Sequence, residues 1–275
     1  MEIHVALTDS GLPRLDARLL LSYVVRRDHA WLVAHDRDAL ATQALARYEA
    51  LVARRVAGEP MAYLVGEREF YGRAFRCSPA ALIPRPETEL LVETALATLR
   101  ATGLKSLRIL DVGTGTGCIA ITLALECVHI AVSALDVSAD ALALARENAD
   151  ALGAANVNFL QSDWFCAVGD DEKFDLIVSN PPYIVPGDAH LTEGDLRFEP
   201  AIALVDALDG LESYRQLARG AIRHLKNGCW LVVEHGFDQG KSVPALLRNC
   251  GFTDVRTLLD LAGHPRVTLA RWHPS

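Results

Sequence analysis

The tetrapeptide Asn180–Tyr183, which reads Asn-Pro-Pro-Tyr, is the segment whose residue types are best suited to chemistry. It directly follows the apolar run FDLIVS, so its simplest interpretation is a strand that two prolines bring to an end. A strand stop needs neither an Asn nor a Tyr, however. The side-chain carbonyl of Asn180 and the backbone carbonyl of Pro181 could accept both hydrogens of one planar NH2 group. Tyr183 could offer that group an aromatic face, and the restricted backbone around Pro182 would hold the carbonyl in place.

A second segment, ILDVGTGTGCIA, alternates glycine with threonine over Gly113, Thr114, Gly115, Thr116 and Gly117. Glycines let a chain turn sharply between a strand and a helix and approach a ligand closely, whereas a tight turn alone would need fewer of them. The strict dinucleotide pattern Gly-x-Gly-x-x-Gly fails at its last position, and only a looser form that ends in Ala fits. A nicotinamide or flavin dinucleotide is disfavoured but stays open, and a different nucleoside is favoured.

Polar and aromatic residues also follow the next two predicted strands. Asp136 ends the run IAVSALD and could accept both hydroxyls of a ribose, while the alternative role of helix cap could fall to Ser138. Asp163 could accept from an adenine amino group, and Trp164 could cover the ring, or the two could be a helix cap and a core residue. Because open α/β sheets bind ligands at the carboxyl ends of their strands, we expect these side chains at one edge.

The element pattern divides the chain into two regions. Residues 1–75 carry helical patterns, among them Leu15, Leu19, Leu20 and Tyr23 at the spacing of one helix face. From residue 107 onward apolar strands alternate with helices, which predicts an α/β fold with a parallel sheet covered on both faces. The late strands are joined by a short return, which suggests an antiparallel strand near one edge.

The composition limits the class of protein. The 275 residues are 51% hydrophobic and 23% charged, with a net charge of −8 and no Lys before Lys105, so no basic surface for nucleic acid is evident. The six cysteines lack metal-ligand spacing, which favours reduced thiols and no metal site. We find neither a signal-peptide pattern nor an apolar run long enough to span a membrane, so we expect a cytoplasmic protein.

These segments together carry a family resemblance. Residues 107–272 resemble the seven-stranded, Rossmann-like S-adenosylmethionine-dependent methyltransferases. More closely, the ordered motifs LIPRPETE, LDVGTGTGCIAI, QSDWF, IVSNPPYI, DLRFEP, ALVDALDGL and EHG resemble the PrmC or HemK family, and the similarity covers nearly the whole chain. That family methylates the side-chain amide of the glutamine in the Gly-Gly-Gln loop of class I peptide chain release factors. The resemblance implies a helical substrate-recognition domain at 1–66, a hairpin linker at 67–84 and a methyltransferase domain at 85–275.

The resemblance also implies roles for individual residues. S-adenosyl-L-methionine, which would leave as S-adenosyl-L-homocysteine, is expected to contact Gly113, Thr114, Gly115, Thr116, Gly117, Asp136, Asp163, Trp164 and Asn180. The acceptor nitrogen is expected to contact Asn180, Pro181, Pro182 and Tyr183, of which Asn180, Pro181 and Tyr183 are the candidate catalytic residues. A release factor is the expected partner of a monomeric enzyme that contacts neither nucleic acid nor membrane directly.

Several alternatives stay open from the sequence. An adenine-amine methyltransferase acting on DNA or RNA would share the Asn-Pro-Pro-Tyr chemistry, and a non-catalytic binding module would share the scaffold. Arg85 and Glu87 could frame the acceptor pocket, although ion pairing that fixes the following helix is the favoured role. The segment 184–199, which ends at Glu199, is either a lid that clamps the substrate loop or a packed surface loop.

Overall fold

The computed structural model describes residues 1–103 and 106–274, which form two compact units. The first unit contains residues 1–67 together with 190–198, and the second contains 68–189 and 199–275. The predicted end of the methyltransferase domain, Ser275, lies outside the described residues. Within the described ranges, no helix has both the length and the apolar character needed to cross a membrane.

The first unit is helical. Its helices are α1 Ile3–Asp9, α2 Arg14–Val25, α3 His29–Ala34, α4 Thr42–Val56 and α5 Met61–Val65. Their shared core contains Ile3, Leu20, Leu21, Leu32, Tyr48, Leu51 and Leu64. The role of substrate recognition that the sequence suggested for residues 1–66 stays a prediction.

The buried face of α2 differs from the one predicted. Of the predicted set only Leu20 is buried, whereas Leu15 is 69% exposed and Leu19 is 46% exposed. Helix α2 instead packs through Ala17, Leu20, Leu21 and Val24. Apolar residues occupy two overlapping stripes of this helix, and the spacing alone does not show which stripe meets the core.

Residues 190–198 belong to the first unit although they lie late in the chain. Arg55 on α4 donates to Asp195 at 3.1 Å, and Arg197 donates to the backbone carbonyl of Ala57 at 2.7 Å. The middle of the segment 184–199 therefore has polar contacts that tie it to the end of α4. A role as a clamp for a substrate loop stays a prediction.

A two-stranded hairpin begins the second unit. Strands β1 Glu67–Phe70 and β2 Arg73–Arg76 are joined by Tyr71 and Gly72, both with positive φ. Phe70 and Phe75 are fully buried and join the core on one face of the large sheet.

The large sheet has seven strands. They are β3 Leu107–Val112, β4 Ile130–Asp136, β5 Val157–Gln161, β6 Phe174–Ser179, β7 Leu225–Glu234, β8 Thr253–Leu259 and β9 Pro265–Arg271. The order is β5-β4-β3-β6-β7-β9-β8, in which β9 runs antiparallel to both neighbours, one position in from the edge. The predicted antiparallel strand near one edge is thus confirmed.

Helices cover both faces of this sheet. They are α6 Glu89–Thr102, α7 Cys118–Glu126, α8 Ala139–Leu152, α9 Ala201–Leu204, α10 Glu212–His224 and α11 Ser242–Asn249. Alternate residues of the central strands enter opposite cores, so that Ile109 and Leu176 pack on one face while Leu110 and Ile177 pack on the other. The predicted α/β fold is confirmed.

The strand order determines where a ligand can bind. From β3 the chain first moves outward to β4 and β5, and then returns to place β6 on the other side of β3. This reversal opens a crevice beyond the carboxyl ends of β3 and β6. The glycine segment follows β3, and Asn180 follows β6.

Candidate active site

A cavity of about 360 Å³ lies in the second unit at the carboxyl ends of the parallel strands. Most of the sequence-predicted site residues line it, namely Gly113, Thr114, Gly115, Thr116, Asp136, Asp163, Trp164, Asn180, Pro181 and Pro182. Gly117 and Tyr183 are not among the lining residues. Residues of two further segments, 80–85 and 202–216, also line the cavity; of these, the sequence had singled out only Arg85 as a possible wall of the pocket.

The glycines of the loop after β3 serve different purposes. Gly113, Gly115 and Gly117 all have positive φ, at 77°, 55° and 82°. A β-carbon at Gly113 would meet no atom within 4 Å, whereas one at Gly117 would lie 2.7 Å from Cδ1 of Ile121. Gly113 therefore leaves open space beside the cavity, and Gly117 permits close packing of the loop against α7.

Asp136 stabilises this loop. Its Oδ2 accepts from the amide of Gly115 and its Oδ1 from the amide of Ser138, both at 2.9 Å. Burial raises the pKa of the Asp136 carboxyl, and these amide bonds partly oppose the rise. The Ser138 hydroxyl accepts from the amide of Ala141 and so caps α8, which confirms that Asp136 is not needed as the cap. The ribose role of Asp136 stays a prediction, which its position in the cavity wall supports.

The aromatic wall of the cavity depends on an uncommon backbone conformation. Trp164 has φ of 48°, a left-handed value that is costly for a bulky residue. The hydroxyl of Ser162 donates to the carbonyl of Trp164 at 2.8 Å and holds the turn after β5. Asp163 is exposed beside it. The two residues thus occupy the expected edge, and their contacts with an adenine ring stay a prediction.

Asn180 presents one end of its amide to the protein and keeps the other end free. Its Nδ2 donates to Oγ1 of Thr88 at 3.3 Å. Within the described part of the chain, neither Oδ1 of Asn180 nor the carbonyl of Pro181 accepts a hydrogen bond. Two acceptors are therefore available at the end of β6, beside the cavity, as the tetrapeptide suggested.

Tyr183 packs near the end of β7. Its ring lies beside Gly236, where a β-carbon would make an ordinary 3.5 Å contact with Cδ2 of Tyr183. Burial raises the pKa of Tyr183 to about 12, and the negative charge of Glu234 adds to the rise. The phenol is consequently neutral and acts as a polar-edged aromatic surface, not as a base.

Two buried carboxyl groups were missed as possible contributors to the site. Glu234 ends β7 at 2% exposure, and burial raises its pKa to about 7. Asp111 on β3 is fully buried, accepts from the hydroxyl of Thr114 at 2.7 Å and also has a pKa raised to about 7 by burial. Each is an acidic residue in or at the end of an apolar strand, and each lies in a motif quoted above, LDVGTGTGCIAI for Asp111 and EHG for Glu234.

The roles of Arg85 and Glu199 are clarified by their contact. Arg85 forms an ion pair with Glu199, whose side chain is fully buried and also accepts from the amide of Ile83 at 2.9 Å. Arg85 lines the cavity as well. The favoured structural role of Arg85 fits this pair, but the partner is Glu199 at the end of the segment 184–199.

Comparisons with known proteins agree with this geometry. Residues 3–66 match the PrmC N-terminal domain family, and residues 86–196 match the methyltransferase small domain family. The chain is 51% identical over 262 residues to the release factor glutamine methyltransferase of Bordetella pertussis, covering 95% of this chain and 96% of that protein.

Solved structures support the fold alone. The hMettl16 catalytic domain in complex with a 3′UTR hairpin is similar with a TM-score of 0.59 and 14% identity, covering 93% of each chain. The T. thermophilus 16S rRNA methyltransferase RsmC, solved in complex with AdoMet and guanosine, has a TM-score of 0.55 and 21% identity over 74% of this chain and 49% of that one. The near full-length match to the bacterial relative is far closer, and by that match the chain belongs to the release factor glutamine methyltransferase family.

Proposed function

We propose that this protein transfers a methyl group from S-adenosyl-L-methionine to the side-chain amide nitrogen of the glutamine in the Gly-Gly-Gln loop of class I release factors. The observation that carries the proposal is the pair of free acceptors at the end of β6, Oδ1 of Asn180 and the carbonyl of Pro181, beside the cavity. The name of the bacterial relative supports glutamine as the acceptor.

The residues of the cavity suit the proposed donor. The space left by Gly113 would admit a ligand close to the backbone, Asp136 would accept from ribose hydroxyls, and Trp164 would cover the adenine ring. When bound, the donor supplies an electrophilic methyl carbon on a sulfonium. Its product is S-adenosyl-L-homocysteine.

Asn180 and Pro181 would supply orientation. An amide nitrogen is a poor nucleophile because its lone pair is delocalised into the carbonyl. Two acceptors that hold both hydrogens would direct the nitrogen toward the methyl carbon and favour a localised lone pair. Since binding in a reactive geometry alone lowers barriers greatly, positioning is the main contribution required of the protein.

The remaining residues of the tetrapeptide would shape the acceptor pocket. Pro182 restricts the chain after Pro181, and Tyr183 provides an aromatic surface for the planar amide. The nitrogen gains a C–N bond as the C–S bond of the donor breaks, and its extra proton leaves afterwards to solvent. No dedicated base is required, which agrees with a phenol that stays neutral.

The helical first unit would recognise the body of the release factor, and we propose a monomeric, cytoplasmic enzyme that contacts no nucleic acid directly. An adenine-amine methyltransferase would share the Asn-Pro-Pro-Tyr chemistry, but the net charge of −8 does not favour a nucleic-acid substrate.

The proposal is tested with labelled methyl donor and a purified class I release factor. We expect label on the wild-type factor and none on a factor whose loop glutamine is replaced. Asn180→Ala should lower kcat about 100-fold or more while donor binding is largely kept, by analogy with the loss of one preorganised hydrogen-bonding group. Asn158→Ala, at an exposed position on β5, is the matched control. Methylation of RNA or DNA with none on the factor would overturn the proposal.

A further inference from the structure

Asn180, Glu234 and Thr88 meet at one point of the second unit although they are far apart in sequence. Strands β6 and β7 are parallel neighbours with Ser179 opposite Val233, so Asn180 and Glu234 are the next residues at adjacent strand ends. Thr88, which is 2% exposed, precedes α6 and accepts from Nδ2 of Asn180 at 3.3 Å. Thr88 and Glu234 thus lie beside the Asn180 amide, the group that is proposed to hold the substrate amide.

The hydroxyl of Thr88 is not used to cap the helix that follows it. Thr88 occupies the N-cap position of α6, yet its side chain makes no capping hydrogen bond. Thr88 ends the 3₁₀ turn Pro86–Thr88 that runs into α6 and itself has helical backbone angles, φ −68° and ψ −18°, so its side chain is not placed to cap the helix. A purely structural role as a helix cap is therefore not what holds this hydroxyl in the core.

The hydrogen bonds that Thr88 can make follow from the donors and acceptors of its hydroxyl group. A hydroxyl carries one hydrogen and can accept from other donors. Because Oγ1 accepts from Asn180, its own hydrogen is available for an acceptor, and the Glu234 carboxyl at the adjacent strand end, whose pKa the Thr88 hydroxyl lowers, can be that acceptor. Oε2 of Glu234 is buried without a hydrogen-bond partner in the described part of the protein, so the carboxyl has spare accepting capacity.

We propose that Thr88 and Glu234 are positioning residues that fix the orientation of the Asn180 amide. Glu234 accepts from Thr88, Thr88 accepts from Nδ2 of Asn180, and Oδ1 of Asn180 is thereby left to face the substrate. The inference rests on the proposed function of Asn180.

The Asn180 side chain needs neighbours that fix its orientation because the two ends of an amide are nearly the same in shape. Turning the Asn180 side chain by half a rotation exchanges an acceptor for a donor with little change in shape. In the turned state NH2 would face the NH2 of the substrate, and the nucleophile would lose one of its two acceptors. Only polar neighbours can distinguish the two states, and Thr88 is the neighbour that Nδ2 contacts.

Kinetics of five variants test the inference. Thr88→Val keeps the shape but removes the hydroxyl, and should lower kcat for the release factor about 10-fold, a typical value for one lost hydrogen bond, with little change in KM or donor affinity. Thr88→Ser should restore most of that loss. Glu234→Leu should lower kcat similarly, and Glu234→Gln, which keeps an accepting oxygen, should restore it.

The double variant Thr88→Val/Glu234→Leu separates action through Thr88 from direct action. If Glu234 acts through Thr88, the double variant is no slower than Thr88→Val alone, because the two changes remove the same link. A double variant with the product of the two losses would overturn the inference, as would a Thr88→Val enzyme with wild-type kcat. The Thr88 variants and the Glu234 variants each test the inference without the other set, so one set suffices if a variant of the other residue fails to fold.

A measurement without substrate distinguishes failure of the inference from failure of the proposed function. The side-chain NH2 signals of Asn180 can be assigned in a ¹⁵N-correlated NMR spectrum by their loss in Asn180→Asp. We expect these signals to shift and to exchange faster with water in Thr88→Val, but not in Thr88→Ser. Unchanged signals in Thr88→Val would contradict the inference, whereas absence of methyl transfer by the wild type would contradict the proposed function.

Discussion

Glu234 should make the protein less stable at alkaline pH than at acidic pH, and Glu234→Gln should remove that loss. The carboxyl has an ordinary pKa of 4.5 and a pKa of about 7 in the folded protein, chiefly because it is buried. The folded state therefore binds the proton more tightly than the unfolded state. Stability that is present below pH 4.5 is lost progressively as the pH rises to about 7.

The size of the effect follows from the shift. A shift from 4.5 to about 7 corresponds to about 3 kcal/mol in full, at about 1.36 kcal/mol per pKa unit. Between pH 5 and pH 8 roughly 2 to 3 kcal/mol, most of this amount, should be lost. Asp111, whose pKa burial also raises to about 7, contributes with the same sign in both proteins and cancels from the comparison.

Urea unfolding at pH 5 and pH 8 measures the effect. The free energy of unfolding of Glu234→Gln, relative to wild type, should be roughly 2 to 3 kcal/mol more favourable at pH 8 than at pH 5. Asp150→Asn, which neutralises an exposed carboxylate on α8, is the control and should show no comparable change. An equal difference between Glu234→Gln and wild type at the two pH values would refute the reasoning, since it would mean that Glu234 is not held protonated by burial.

Three further substitutions have defined outcomes. Gly117→Ala should lower the free energy of unfolding, measured with urea, by about 3 kcal/mol, because a left-handed backbone strains Ala and the new β-carbon would overpack against Ile121. Gly153→Ala is the control, since Gly153 has a similar φ but open space around it and should show the backbone strain alone. Equal losses of stability in the two variants would contradict the packing argument. Glu199→Ala should destabilise the fold by about 3 kcal/mol, because the amide of Ile83 and the Arg85 guanidinium lose the buried carboxylate that accepts from both. A melting temperature like that of wild type would be inconsistent with a structural role for Glu199. Asp136→Asn should weaken S-adenosylmethionine binding about tenfold or more, as measured by calorimetry. The single oxygen of an Asn side chain cannot replace both carboxylate oxygens, which accept from the backbone amides of Gly115 and Ser138. An unchanged affinity would argue against the role of Asp136 in holding the glycine loop.

The positions of the site residues at the strand ends could be predicted because the order of strands and helices along the chain indicates which strand ends lie together. Alternating strands and helices indicate a parallel sheet, and the carboxyl ends of parallel strands share one edge. The glycines after β3, Asp136 at the end of β4 and Asn180 after β6 were therefore expected to lie near one another. Most of them line one cavity, as the strand topology predicts.

The contacts of Thr88 and Glu234 could not be predicted in the same way. They depend on the register of β6 against β7 and on how the start of α6 approaches that edge, which no local pattern encodes. The buried face of α2 was mistaken for a related reason, since tertiary packing selects between two apolar stripes. Residues 190–198 group with the helical unit, where Arg55 and Arg197 make two of the polar contacts, and charged residues in a loop do not reveal their partners from the sequence.

The central claim is tested most directly by locating the transferred methyl group. A class I release factor is incubated with the protein and S-adenosylmethionine, digested and sequenced by tandem mass spectrometry. We expect one added methyl, on the side-chain nitrogen of the glutamine in the Gly-Gly-Gln loop. This product should be lost with Asn180→Ala but not with Asn158→Ala. A factor that stays unmodified, or that carries the methyl at another residue, would contradict the account.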